Sequence, residues 1–249
     1  MFKKCVSVLC VALIAAASLV LPVHAQEGSV SVSAQAAVVI NADNGQVLYA
    51  KNAENQQAMA STTKIMTALL TLEEAAKENK VVTISEQVAA VEGSSMYLNA
   101  GDQISLKDLA IGMLTVSGND AAYGAAVAIG GSEEEFAKLM NARAKELGME
   151  NTNFVTASGL DADEHYSTAL DMAKLGAAAI QNEDFLAICS KTQSTATFVN
   201  PPRTQSYSNH NKLGLYWHQN RVYQKGGKMF GFRSRARRCP FGSRNFKCA

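Results

Sequence analysis

A serine and a lysine three residues apart are the first pair in this sequence that could do chemistry. On a helix, Ser61 and Lys64 would lie on one face about 5 to 6 Å apart at Cβ, close enough for an amine to take a hydroxyl proton. A lysine does this only when burial or nearby positive charge lowers its pKa from about 10.4, and the flanking residues 58–60 and 65–66 are apolar. The competing interpretation is an N-cap serine beside an unrelated surface lysine, because S-x-x-K is common.

A second cluster lies further along the chain. Ser117, Gly118 and Asn119 follow the apolar run 109–116 and precede a helix opened by Asp120. They are expected on a tight loop between helices, which would project a hydroxyl and an amide into a cleft. A simple capped turn would explain this cluster alone, but S-x-x-K followed by S-x-N is a much rarer combination than either motif.

The pattern of apolar residues predicts the elements that would position both motifs. Residues 36–40 and 46–49 favour two strands joined at Asn44-Gly45 as a hairpin. Helices are predicted from Ser61 and at about 105–116, 120–129, 132–147 and 168–180. Two strands followed by an alanine-rich helical block indicate a mixed α/β or α+β domain with a helical lobe. Met59, Met66 and Met113 are expected in its core.

Composition excludes several classes of protein. The chain has 249 residues, of which 47% are hydrophobic and 18% charged, so a folded globular protein is expected. Lys plus Arg (23) nearly equals Asp plus Glu (22), and no overall charge favours nucleic acid. The cysteines at 5, 10, 189, 239 and 248 have neither the spacing of metal ligands nor that of a disulfide framework.

The N-terminus has the pattern of an export signal. Lys3 and Lys4 precede an apolar run at 5–21, and small residues stand at 23 and 25. We therefore expect a signal peptide at residues 1–25, cleaved after Ala25, and an extracytoplasmic protein. The alternative is a membrane span, since the run is close to the minimum length for one.

With both motifs in place, the sequence resembles the serine D-alanyl-D-alanine carboxypeptidases, a group of low-molecular-mass penicillin-binding proteins. The resemblance runs from about residue 36 to residue 213. Outside the two motifs it includes the hairpin 37–49, Ser94-Ser95-Met96, Gly101-Asp102, Gly130-Gly131-Ser132, residues 144–149, Gly159-Leu160-Asp161, residues 165–169 and residues 209–213. It implies the α/β (α+β) penicillin-recognising fold of serine β-lactamases and transpeptidases, in which a sheet flanked by helices lies beside a helical lobe.

The resemblance also implies a role for each site residue. Ser61 would be the nucleophile that forms an acyl-enzyme, and Lys64 the base that activates it. Ser117 would relay a proton to the leaving D-alanine, while Asn119 would bind the substrate's peptide or hold Lys64. The Ser61 N–H would supply half of an oxyanion hole. His165 is expected to be mainly structural, and neither metal nor cofactor is implied.

The third motif of this family, K-T-G, does not appear where it is expected. After Leu213 the resemblance ends, and residues 214–249 carry nine Lys/Arg and no acid, whereas residues 26–213 have a net charge of −10. If the codons from Trp217 onward are read one base later, they are compatible with G-I-K-T-G-F-T-K-K. We therefore interpret residues 26–213 as an incomplete catalytic domain that lacks its closing C-terminal strands, and residues 214–249 as a frameshift product. A genuine basic tail for acidic wall polymers or membrane surfaces is the alternative.

The expected function is removal of the terminal D-alanine from peptidoglycan pentapeptide stems, with β-lactam antibiotics acylating Ser61. Nucleic acid is not an expected partner, and a membrane anchor would lie beyond the break. The chain as printed is expected to have little activity without K-T-G. The alternatives are a class A-like β-lactamase, a transpeptidase or endopeptidase, and an inactive penicillin- or wall-binding remnant.

Overall fold

The computed structural model describes residues 32–209 of the chain. The predicted signal peptide at 1–25 and the predicted frameshift product at 214–249 lie outside these residues. The helices and strands given below all lie in the described segment, which also holds both motifs.

A two-stranded antiparallel hairpin opens the described chain, as the sequence predicts. Strand β1 (Ala37–Ile40) pairs with β2 (Val47–Lys51), with Ala37 opposite Lys51. Gly45 in the connecting loop has φ +73°, a conformation that glycine adopts without strain, and its N–H donates to Asn41 O at 2.8 Å. The Asn-Gly signal therefore marks the turn correctly.

Helices make up most of the described chain after this hairpin. They are α1 (Lys64–Lys77), α2 (Glu86–Ala89), α3 (Leu106–Val116), α4 (Asn119–Gly130), α5 (Glu133–Glu146), α6 (Ala169–Ala179) and α7 (Glu183–Ser190). Side-chain oxygens of Ser105, Ser132 and Thr168 cap three of them by accepting a first-turn N–H. The four helices predicted after residue 100 are confirmed to within about two residues at each end.

The start of α1 differs from the expectation of a helix beginning at Ser61. Residues Ala60–Thr63 form one turn of 3-10 helix, and the α-helix begins only at Lys64. The preceding turn is fixed by Thr62 Oγ1, which donates to Met59 O at 2.6 Å. The nucleophile candidate thus stands in the tighter turn, and the lysine opens the regular helix.

A second sheet was not predicted from the sequence. Its antiparallel order is β3 (Val81–Thr83), β4 (Gln103–Ser105), β5 (Gln193–Asn200) and β6 (Arg203–Ser208). Arg203 at the start of β6 donates two hydrogen bonds to Asp102, which ties the long β5-β6 hairpin to the loop before β4.

Helix α1 lies at the centre and packs against α3, α4 and α6. Met59, Met66 and Met113 are all at most 1% exposed, which confirms their placement in the core. Burial of each such side chain contributes roughly 1.5 to 3 kcal/mol. The packing holds the helix that carries Lys64 against the two helices that flank the S-x-N turn.

Candidate active site

The turn that carries Ser61 is held in an unusual backbone conformation. Ala60 has φ +47°, in the left-handed region that costs a non-glycine residue free energy. Gly159 lies directly against this turn, and a Cβ at that position would stand 1.9 Å from Ala60 O. The close approach requires glycine at 159, and it fixes the backbone from which the Ser61 hydroxyl projects.

Lys64 is fully buried, and its amine is aimed at the serine. Nζ donates to Ser61 Oγ at 3.1 Å and to the backbone oxygen of Ser158 at 2.6 Å. Burial lowers the pKa of Lys64 from 10.5 to about 7, against an opposing influence of the Asp120 carboxylate. A large fraction of the amine is therefore neutral near pH 7, and only a neutral amine can accept a proton.

His165 joins the serine turn to the loop that follows α5. Its Nδ1 accepts the Val155 N–H at 2.9 Å, so Nε2 carries the proton and donates to Thr63 Oγ1 at 2.9 Å. Burial lowers the pKa of His165 from 6.5 to about 4, which keeps the ring neutral at pH 7. These contacts are those of a structural bridge, in agreement with the sequence-based expectation.

The S-x-N turn lies between α3 and α4, as predicted. Ser117 ends α3 with φ +59° and ψ +36°, and Asn119 is the first residue of α4. The Asn119 N–H donates to Ser94 O at 2.6 Å, and its side-chain Nδ2 donates to Glu92 O at 2.7 Å. A Cβ on Gly93 would stand 2.5 Å from that Nδ2, so the amide packs on bare backbone.

Asp120 anchors the segment that faces this turn. Its carboxylate accepts hydrogen bonds from Ser95 Oγ at 2.7 Å, Met96 N at 3.0 Å and Leu98 N at 3.1 Å. The same carboxylate acts electrostatically on Lys64. The two motifs are therefore neighbours in the fold, although 52 residues lie between Lys64 and Ser117 in the sequence.

One hydrogen-bond acceptor in the site, a backbone oxygen, has no signature in the sequence. The second acceptor of Lys64 is the main-chain oxygen of Ser158, and any residue type supplies such an oxygen. The only hint was Gly159, whose φ of +79° and lack of a side chain allow the loop to reach the serine turn. Sequence reasoning used Gly159 as a mark of resemblance and did not assign it this role.

Comparison with known proteins identifies the family of this chain. The profile of the peptidase S11 family, described as D-alanyl-D-alanine carboxypeptidase, matches residues 23–244. The chain belongs to this family. The match extends beyond residue 213, where the sequence predicts the resemblance to end. The penicillin-recognising, α+β fold expected from the sequence is confirmed by similarity to solved structures of this group.

Three relatives illustrate the similarity of this peptidase S11 chain to known proteins. D-alanyl-D-alanine carboxypeptidase DacF of Bacillus subtilis is 43% identical over 170 residues, which cover 66% of this chain and 42% of that protein. DacC of Escherichia coli is 39% identical over 203 residues, covering 76% and 48%. A variant of the Streptomyces K15 DD-transpeptidase superposes with a TM-score of 0.68 at 30% identity, covering 73% of this chain and 75% of that one.

The match thus spans less than half the length of DacF and of DacC. Within residues 32–209, no helix is both long and apolar enough to cross a membrane. In the same part of the chain, no cluster of three or more His, Cys, Asp or Glu side chains is arranged to hold a metal ion.

Proposed function

We propose that this protein is a serine-type D-alanyl-D-alanine carboxypeptidase that removes the terminal D-alanine from peptidoglycan pentapeptide stems. The observation that carries the proposal is the 3.1 Å hydrogen bond from Lys64 Nζ to Ser61 Oγ, made by a fully buried amine whose pKa burial lowers to about 7. Such an amine has the proton affinity that activation of a serine hydroxyl requires.

In the proposed first step, neutral Lys64 takes the proton of Ser61 Oγ as that oxygen attacks the carbonyl between the last two D-alanines. The Ser61 N–H lies in the first turn of a helix, where it has no helical acceptor, and would donate to the developing oxyanion. A second oxyanion donor is proposed to come from a facing strand.

In the following steps, the bond to the terminal D-alanine breaks and Ser117 relays the proton to its amino group. Water then hydrolyses the Ser61 ester and regenerates the serine. Asn119 would hydrogen-bond the peptide of the substrate. The Asn119 Nδ2 donates to Glu92 O, whereas the Lys64 amine donates to Ser61 and Ser158. Because these hydrogen bonds do not join Asn119 to Lys64, they favour a role in binding substrate over a role in holding the lysine.

The same acyl-enzyme step makes β-lactam antibiotics ligands, since a penicillin would acylate Ser61 and remain attached. No metal or cofactor takes part in the proposal. The signal peptide at 1–25 would export the protein, so the site would work outside the cytoplasm, in the wall, in the periplasm or at the outer face of the membrane.

We further propose that residues 26–213 are the catalytic domain and that residues 214–249 are translated out of frame. Reading the codons from Trp217 one base later would restore K-T-G on the strand expected to close the site. Resequencing the gene tests this directly. An intact printed frame with no displaced K-T-G would overturn it.

The function is tested by labelling with a fluorescent penicillin, followed by assay of D-alanine release from a pentapeptide. The restored-frame chain, in which the codons from Trp217 are read one base later, is expected to be labelled rapidly and to release D-alanine. The printed chain is expected to be labelled slowly or not at all. The Ser61→Ala variant of either chain should not be labelled. Rapid turnover of free penicillin would instead indicate a β-lactamase. Labelling without release from the pentapeptide would indicate a binding remnant.

Transfer of the acyl group to an amine is the second candidate, and the K15 DD-transpeptidase similarity favours it. It differs from hydrolysis only in the acceptor. Adding an amino acid amine to the pentapeptide assay separates them, since a transpeptidase would form a new peptide where a carboxypeptidase releases the free tetrapeptide.

A further inference from the structure

The backbone at Ala157 and Ser158 is held by three side chains in succession. The Ala157 N–H donates to Glu133 Oε1 at 2.8 Å, and Ala157 O accepts from Thr67 Oγ1 at 2.7 Å. The next carbonyl, Ser158 O, is the one that accepts from Lys64 Nζ at 2.6 Å. Both polar groups of one residue are thus fixed immediately before the oxygen that the lysine contacts.

The two holding side chains come from different helices. Glu133 is the first residue of α5, and Thr67 lies one turn after Lys64 on α1. Ala157 and Thr67 are both fully buried, so water cannot replace either hydrogen bond at low cost. With its neighbour held from two sides, the Ser158 carbonyl has little freedom to turn away from the amine.

Glu133 acts at this point through geometry and not through its charge. The pKa of Lys64 responds to burial and to the carboxylate of Asp120. Glu133 itself is half-buried, and burial raises the pKa of its carboxyl while the hydrogen bond from Ala157 opposes that rise. A neutral acceptor of the same shape should therefore serve equally well at position 133.

We propose that Glu133 is a positioning residue for Lys64: its carboxylate fixes the Ala157 N–H so that the Ser158 carbonyl stays on the amine and excludes water from it. The proposal rests on the proposed function, because it matters to catalysis only if Lys64 is the base. Thr67, on another helix, holds the carbonyl oxygen of the same residue. Loss of either contact would let the loop move and water reach the amine.

Rehydration of the amine and loss of the Ser158 carbonyl would change the pKa of Lys64 in opposite directions. A carbonyl that accepts from the ammonium stabilises the charged form, but water that enters also accepts from it and adds solvation. Because burial is the largest influence on the pKa of Lys64, opening the loop is expected to raise that pKa. A rise from about 7 to about 8 would lower the neutral fraction of the amine at pH 7 from about one half to about one tenth.

The test is a pH titration of the Lys64 side chain by NMR, in the printed chain with 13C-labelled lysine, with Lys64→Arg used to assign the signal. In Glu133→Ala the midpoint should move up from about 7 by at least about one pH unit, and in Thr67→Val in the same direction. Glu133→Gln should retain the parent midpoint. Glu134→Ala is the matched control, because it removes an exposed acid from the same helical turn and should leave the Lys64 midpoint unchanged.

An unchanged midpoint in both Glu133→Ala and Thr67→Val would overturn the proposal, and so would an equal rise in Glu133→Gln and Glu133→Ala. Thermal unfolding of each variant separates a local change from a loss of the fold, and Thr67→Val preserves side-chain shape if Glu133→Ala does not fold. Failure of the restored-frame chain to react with penicillin would refute the proposed function but would leave the lysine titration intact.

Discussion

The two halves of the candidate site hold their buried charged groups in opposite ways. Lys64 donates to two neutral oxygens, those of Ser61 and Ser158. The buried carboxylate of Asp120 accepts from a hydroxyl and from two backbone N–H groups of the 95–98 segment. On the proposed mechanism, the difference separates a group that changes its protonation, Lys64, from one that holds a loop, Asp120. A cation with few acceptors loses its proton easily, whereas a carboxylate with several donors is a structural anchor.

The largest effect is expected when the buried amine is removed in Lys64→Met. Without the base, the rate of acylation of Ser61 by penicillin in the restored-frame chain should fall by about 10³-fold or more. The free energy of unfolding at pH 7 should instead rise by roughly 3 to 5 kcal/mol, because folding of the parent must bury an amine whose pKa is lower than in the unfolded chain.

The pH dependence of the free energy of unfolding tests the lowered pKa of Lys64. The pKa of Lys64 is about 7 in the folded chain and 10.5 ordinarily, so between these values the unfolded state binds a proton that the folded state does not. The lysine contribution to stability therefore falls as the pH falls from 10 to 7 and is constant below that. Urea unfolding of Lys64→Met should lack this slope. An identical slope in parent and variant would refute the lowered pKa.

A smaller effect is expected when the serine side of the site is crowded. In Gly159→Ala the new Cβ would collide with Ala60 O and displace the turn that carries Ser61. Acylation in the restored-frame chain should fall by about 10- to 100-fold. Gly45→Ala is the control, because Gly45 also has a left-handed φ but has no atom within 4 Å of the added Cβ. It should lose only about 1 kcal/mol of stability and label normally. Equal rates for the two variants would contradict the role of the contact.

The smallest effect concerns the anchor itself. Asp120→Asn keeps the shape of the side chain but weakens the hydrogen bonds to the 95–98 segment, so stability should fall by about 1 to 3 kcal/mol. Because Asp120 raises the pKa of Lys64, the lysine midpoint should move below about 7. Asp108→Asn is the matched control, since Asp108 accepts from Thr197 N and Ser105 Oγ. It should lower stability and leave the lysine midpoint unchanged.

Much of this arrangement could be predicted from the sequence, because it depends on local patterns. Helix periodicity and capping residues identified α3, α4, α5 and α6, and the Asn44-Gly45 pair identified the first hairpin. The S-x-N turn was placed correctly between two helices because apolar runs end on either side of it. The roles of Ser61, Lys64, Ser117 and Asn119 stay predictions.

The β5-β6 hairpin escaped prediction for a physical reason. Its strands consist largely of Thr, Ser and Gln, and β5 alternates exposed and buried residues around Ala196 and Phe198, so the sequence contains no continuous apolar run. The Ser158 carbonyl was missed because a backbone acceptor is independent of residue type. The 3-10 turn at Ser61 depends on the contact between Ala60 and Gly159, which are distant in the sequence and meet only in the fold.

That distance has a consequence for the nascent chain. Lys64 and the oxygen that completes its surroundings are 94 residues apart, and Thr63 and His165 are 102 apart. Contacts of such separation form late, because the loop between them must first close. During synthesis the segment with Ser61 emerges well before its partners, with an amine that is still hydrated and protonated. On the proposed mechanism, Ser61 would become reactive only once the chain has been made beyond residue 165, and a half-finished polypeptide would carry no premature nucleophile.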